Sequence, residues 1–258
     1  MSPIYIMAVV TLAASVALWG GLIYFLTGRQ KRYFWLLLLG LPLSAIANYL
    51  LKPQAIIAVG RAAQVQPGLG LAAPVWFLAF QVLLSPLVEE PVKVLPLLLG
   101  PARTMLASRT SALWVGFALG VSFGLGEAAV VAFGVAQSGA YDFLPWYAFT
   151  GFFNERVMTC FAHGVMTSAL VVGMQRGGRF ILYGFLGALG LHLFLNAPTV
   201  MYQIQWISAT VYNFSLLVPF VVLAVVFERM RRAARDSKKD DDGKEVVYWQ
   251  RQYTEEHN

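Results

Sequence analysis

The chain has 258 residues, of which 58% are hydrophobic and only 12% charged, and its mean hydropathy is +0.64. Soluble domains run nearer about 45–50% apolar and 25% charged, so this composition excludes an ordinary soluble enzyme and indicates a polytopic membrane protein. The net charge of +6 gathers in short loops and the C-terminal tail, which makes it a topology signal and excludes a nucleic-acid footprint, and the single cysteine, Cys160, excludes an intrachain disulfide and any cysteine-built metal site.

At about 20 residues per crossing, seven spans read along the chain, near 3–26, 33–51, 74–100, 110–136, 153–174, 179–200 and 206–228. The first is long enough to span and ends in Gly28-Arg29-Gln30-Lys31-Arg32, a stop-transfer flank, so no cleavable signal is expected. Basic residues alternate between sides. Arg29, Lys31 and Arg32 follow the first span, Arg103 and Arg109 the third, Arg176 and Arg179 the fifth, and Arg229, Arg231, Arg232 and Arg235 the seventh. Of the other loops, the first carries Lys52 and Arg61 and the remaining two carry no basic residue. The positive-inside rule therefore predicts an N-terminus outside and a C-terminus in the cytoplasm. Residues 53–73, rich in Gly, Pro, Ala and Gln, read as an external loop or interfacial piece. The aromatic stretch from Tyr141 to Phe152 reads as an outer-interface segment, in the form of a short in-plane helix before the fifth span. The expected architecture is an all-α bundle of about seven transmembrane helices over residues 1–228, with a functional core at about 74–200. Residues 229–258 read as a charged cytosolic tail, disordered, with no role for its His257.

The third span carries Leu87-Val88-Glu89-Glu90-Pro91-Val92-Lys93 in the middle of an apolar run. Each of these charges costs about 2.5–3.5 kcal/mol at a helix centre on insertion scales, so a chain that keeps three has a use for them. Glu89 and Lys93 stand four apart and can pair along one face, which leaves Glu90, about 100° round the helix, without a local partner. Pro91 removes a backbone donor and frees the Leu87 carbonyl, which predicts a kinked polar turn facing a cavity.

The other ionisable residues within spans are Glu127, Glu155 and Arg156 near the outer edge, His163 and His192. Glu127 closes Gly124-Leu125-Gly126-Glu127, whose glycines allow a neighbouring helix to approach closely. Arg156, Thr159, Cys160, His163 and Thr167 form one helical stripe, and His192, Asn196 and Thr199 form another. Alone, a buried acid or histidine is ordinarily a satisfied structural group. Two histidines on separate spans beside three carboxylates favour a shared site instead. At 1.5 Å per residue, Glu127, His163 and His192 lie about 12–15 Å from the outer ends of their spans and the Glu89–Glu90 pair about 22 Å, which permits convergence in one outward-opening cavity.

Two chemistries suit this set. Glu127, His163 and His192 match a catalytic zinc set with an open fourth position, leaving Glu89 or Glu90 as general base. Alternatively no cofactor is needed: a Glu–His pair activates water directly, while His192 with Asn196 donates to the oxyanion. In both schemes Lys93 and Arg156 hold the remaining carboxylates ionised and oriented. Both schemes hydrolyse a peptide bond in a pocket shielded from lipid.

Glu89-Glu90-Pro91-Val92-Lys93 resembles the EExxK signature of the PrsW family of intramembrane proteases. Gly124-Leu125-Gly126-Glu127 resembles its second, glycine-led acidic motif, Arg156 with His163 its Arg/His motif, and His192-Leu193-Phe194-Leu195-Asn196 its HxxxN motif. The four occur in the family's order, one per span. That family is grouped with the type II CAAX prenyl endopeptidases and Abi-type membrane proteins. It is also related to the gamma-secretase scaffold subunit, which has seven spans with its N-terminus outside. The resemblance implies an integral membrane protease of a bacterial or archaeal cytoplasmic membrane. Its implied partners are the bilayer and a membrane-anchored protein substrate, such as a single-span anti-sigma factor cut from the outer side. Glu89 matches the catalytic carboxylate of the CAAX relatives, but those have Arg where Lys93 stands, so prenyl-protein processing is less supported. Two other classes stand beside this one. A non-catalytic scaffold would be expected to lose the carboxylate pair, and both members are present; a proton or ion transporter would favour an inverted repeat, and none is evident.

Overall fold

The computed structural model describes residues 2–65 and 73–240. Every regular element among them is helical. Seven helices are long and apolar enough to cross a membrane: α1 (Ile4–Leu26), α2 (Lys31–Ala62), α3 (Val75–Leu98), α4 (Arg109–Ser138), α5 (Trp146–Arg176), α6 (Arg179–Gln203) and α7 (Thr210–Asp236). The chain is thus an all-helical, multi-pass membrane protein.

α4 is the central element. From Ala112 to Gly126 every residue is buried, as expected of a helix that has no polar face to turn to solvent. Its contact with α5 is made by Gly116, Gly120 and Gly124, one per turn. A Cβ at Gly116 would sit 2.6 Å from the Ser168 Cα, one at Gly124 2.7 Å from the Cys160 Cα, and one at Gly120 would collide with the His163 carbonyl. On the opposite face Gly126 abuts Leu41 and Ser44 of α2. Lipid supplies no hydrophobic drive between helices, so close backbone approach and interhelical hydrogen bonds hold them together. Ser168 Oγ, for example, donates to the Leu113 carbonyl at 3.0 Å, and Ser122 Oγ donates to that of Leu37. α7 joins through an aromatic cluster in which the Phe117 and Phe227 ring centroids lie 4.8 Å apart.

Three segments differ from the sequence reading. α2 continues through Lys52–Ala62, where composition suggested a loop. Its Ile46–Leu51 stretch makes wider i→i+5 turns, and Pro53 enters just after it, where its missing N–H is accommodated by the register change. The rest of the expected loop, residues 66–72, lies outside the described residues. The aromatic stretch ends in a 3₁₀ turn, Trp146–Phe149, that runs straight into the α-helix starting at Thr150. At the other end, the helix Leu217–Asp240 carries α7 into the expected tail. Glu228 there accepts from Arg231 Nε at 2.7 Å and from Arg232 Nε at 2.7 Å, the i,i+3 and i,i+4 pairs that support an exposed helix. Residues 241–258, with His257, lie outside the described residues.

Candidate functional site

The α-helical part of α3, Val75–Lys93, runs through both Pro86 and Pro91, and α3 finishes in a 3₁₀ turn at Leu95–Leu98. Glu89, Glu90 and Lys93 therefore occupy its last α-helical turn, and all three are buried. α4 adds Glu127, α5 adds Arg156 and His163, α6 adds His192 and Asn196, and α2 adds Lys52. These residues surround a cavity of about 450 Å³ lined by Lys52, Glu89, Glu127, Arg156, His163, His192 and Asn196 among others. Glu90 and Lys93 stand behind its wall, with no exposed side-chain surface.

The ion pairing differs from what helix spacing suggests. Lys93 Nζ donates to Glu90 Oε1 at 2.7 Å and lies 3.9 Å from Glu89 Oε2. Alongside its i,i+3 partner, Lys93 also donates to His163 Nδ1 at 2.8 Å and sits 4.9 Å from the centre of the Phe123 ring, contacts from other helices that fix its position. Glu89 takes its partner from another helix: Lys52 Nζ lies 2.7 Å from its Oε1 and 3.4 Å from Ser85 Oγ. Lys52 is the site residue that the sequence reading assigned to a loop. Its only sequence signal was a lone lysine at the edge of an apolar run.

The hydrogen bonds also assign the imidazole tautomers. An ammonium has only protons to give, so Nδ1 of His163 accepts from Lys93 and its Nε2–H donates to Glu127 Oε2 at 2.8 Å. Arg156 Nη1 stands 3.5 Å from the same Glu127 oxygen. His192 Nδ1–H donates to Glu90 Oε1 at 2.7 Å, which leaves the Nε2 lone pair facing Glu89 Oε2 at 3.8 Å. That Glu89 oxygen is buried and has no hydrogen-bond partner among the described residues. Two lone-pair atoms thus confront one another at the cavity, each fixed from behind by a cation or a carboxylate. Asn196, four residues after His192, lines the same cavity with its amide unpaired among the described residues. Because His192 Nε2 is an acceptor here, Asn196 alone of the expected oxyanion pair offers N–H groups.

Glu89, His163 and His192 each present a ligand atom, all within 4.8 Å of one another, and this group could hold a metal ion. It is not the set the sequence reading assembled, because Glu127 lies beyond His163 as its hydrogen-bond acceptor, and Glu89 stands in its place. One feature opposes a cation here: both nitrogens of His163 are committed. Charge alone does not, because four carboxylates (Glu89, Glu90, Glu127, Glu155) meet three cations (Lys52, Lys93, Arg156). No family model, curated protein or solved structure matches the chain.

Proposed function

We propose that this chain is an intramembrane endopeptidase that hydrolyses a peptide bond of a membrane-anchored protein by a glutamate–histidine mechanism, as its motif resemblance to the PrsW family implies. The observation that carries the proposal is the pair of acceptors Glu89 Oε2 and His192 Nε2, 3.8 Å apart, the first without a hydrogen-bond partner among the described residues, which a water admitted with the substrate would bridge. Glu89 takes a proton from that water as its oxygen bonds to the scissile carbonyl carbon. The oxyanion that forms accepts from the Asn196 amide. Collapse breaks the C–N bond, and protonated Glu89 returns its proton to the leaving amine, giving one new carboxyl end and one new amino end. Lys52 holds the other Glu89 oxygen in place. Glu90 fixes the His192 tautomer, and Glu127 with Arg156 fixes that of His163.

A second reading rests on the grouping of Glu89, His163 and His192. A zinc ion suits such nitrogen and oxygen donors, and when bound it would act as a Lewis acid toward water. It would require either Lys93 to release His163 Nδ1 or Glu127 to release its Nε2. The commitment of both His163 nitrogens favours the metal-free scheme.

One experiment addresses both. The purified chain in proteoliposomes should cut a single-span test protein and place one heavy oxygen from labelled water in the new carboxyl terminus. Cleavage should survive chelation with no zinc found by elemental analysis. About one zinc per chain, lost together with activity, would decide for the metal. No hydrolysis of any single-span protein would return the chain to the scaffold class.

The arginine distribution supports an N-terminus outside and a cytoplasmic C-terminus. A reporter fused after Arg235 is then active only in its cytoplasmic form. Activity confined to the periplasmic form reverses the topology.

A further inference from the structure

A second cavity of about 400 Å³ adjoins the first, lined by Asn48, Lys52, Pro53 and Ile56 of α2, Gln81, Val82 and Ser85 of α3, and Asn196, Thr199, Val200 and Gln203 of α6. Lys52, Ser85, Asn196 and Thr199 line both cavities. The oxyanion donor Asn196 therefore stands where two lobes meet, one bounded by α5 and α7 and the other by α2 and α3, while the base Glu89 lines the first lobe one turn of α3 from the shared Ser85. The second lobe has no carboxylate among its lining residues. Its distinctive groups are primary amides. Those of Gln81 and Gln203 have no hydrogen-bond partner among the described residues, and Asn48 uses only its Nδ2, donating to the Ser44 carbonyl at 2.9 Å.

Asn48 and Gln81 are half-buried, and Gln203 is exposed at the C-terminal end of α6, where the lobe opens at the bundle surface. A half-buried amide in an apolar bundle is costly unless something pairs with it. Each offers both a donor and an acceptor, the complement of a peptide group. A substrate helix keeps its own N–H and C=O groups paired and its scissile carbonyl shielded. Hydrolysis within a membrane requires local unwinding, and each backbone group freed by it needs a new partner. Building on the endopeptidase reading, we propose that the α2–α3–α6 lobe is a backbone-binding subsite. In it Asn48, Gln81 and Gln203 pair with the unwound stretch of the substrate on one side of the scissile bond, while the α5–α7 lobe takes the other side. The substrate class that follows is a single-span segment with a helix-breaking sequence at the cut. A prenyl chain is not expected, because it would leave these amides unpaired even where it met Ile56, Val82 and Val200.

The test uses the Glu89→Gln chain in nanodiscs, so that binding is read without turnover. Two fluorescent single-span peptides of about 22 residues are compared, one with Asn-Gly-Pro at its centre and one with an unbroken Leu/Ala centre. The broken peptide should bind about tenfold more tightly, as expected for two or so additional net hydrogen bonds. Adding Gln81→Leu and Gln203→Leu should remove that preference, and in the active chain should raise KM while leaving kcat unchanged. A chain carrying Gln81→Cys and Gln203→Cys checks placement with no demand on affinity: a cysteine beside the break should cross-link to it, and one at the peptide end should not. Equal binding of the two peptides, a preference that survives both Leu substitutions, or cross-linking at the peptide end alone would overturn the subsite. None of these outcomes touches the hydrolase reading, which stands or falls on cleavage by the active chain. Tight binding of a prenylated peptide in the same lobe would overturn the substrate class.

Discussion

Glu89→Gln is expected to lower the rate of peptide hydrolysis by about 10²–10⁴-fold, the usual cost of losing a general base. Gln keeps the volume of Glu, and its carbonyl oxygen can still accept from Lys52, so the fold around the 2.7 Å contact should persist. What is lost is a site for the proton of water. The comparison with Glu90→Gln separates two roles. Glu89 lines the cavity, whereas Glu90 is fully buried and, among the described residues, its side chain hydrogen-bonds with His192 and Lys93. Glu90→Gln should therefore act through the His192 tautomer: an amide at that position can present its NH₂ and turn the imidazole over. Its activity should depend differently on pH from that of the wild type, whereas Glu89→Gln should be low at every pH. Single-turnover cleavage across a pH series measures both. Rates within threefold of wild type in both variants would sink the assignment.

The second large effect is on stability. Lys93→Met is expected to destabilise the protein by about 3–5 kcal/mol, the range found when one partner of a buried ion pair is removed and the other charge is left behind. Lys93 has no exposed side-chain surface, and neither does Glu90, so no water can compensate the stranded carboxylate. The double substitution Glu90→Gln with Lys93→Met should recover much of the loss, because the pair contributes less than the penalty for breaking it. Unfolding of the four proteins of this cycle in detergent, followed by accessibility of the buried Cys160, gives the coupling directly. A Lys93→Met protein within about 1 kcal/mol of wild type would mean that Lys93 is not the counter-ion of Glu90.

Much of this arrangement was legible in the chain because charge is rare within it. Once the loops are set aside, the buried carboxylates and histidines are few enough that their convergence can be anticipated, and the structure brings Glu89, Glu90, Glu127, His163 and His192 around one cavity. What escaped was the pairing. Lys93 is a helical neighbour of both glutamates at i,i+3 and i,i+4, and spacing alone cannot choose between them; the contacts that fix its position come from His163 and Phe123, which arrive from other helices. Lys52 escaped for a different reason. A lysine followed by proline at the end of an apolar run has the local character of a span end. Only the wide turns of Ile46–Leu51 carry the helix onward and place that ammonium beside Glu89. Glu127 was assigned as a metal ligand because its depth matched that of the histidines. Depth does not distinguish an atom beside His163 from one beyond it.

The ladder of glycines between α4 and α5 bears on how the site comes into being. Gly116, Gly120 and Gly124 let these two neighbours in sequence meet backbone to backbone, so the pair can form as a hairpin in the bilayer from contacts it carries itself. Glu127, Arg156 and His163 all belong to that hairpin, and their mutual contacts need no other helix. The reactive half is supplied from elsewhere: Lys52 from α2, Glu89 and Glu90 from α3, His192 from α6. A hairpin that formed first would carry half of the constellation while the proposed carboxylate base was still apart, and the proposed hydrolytic competence would then arise only when the last helices dock.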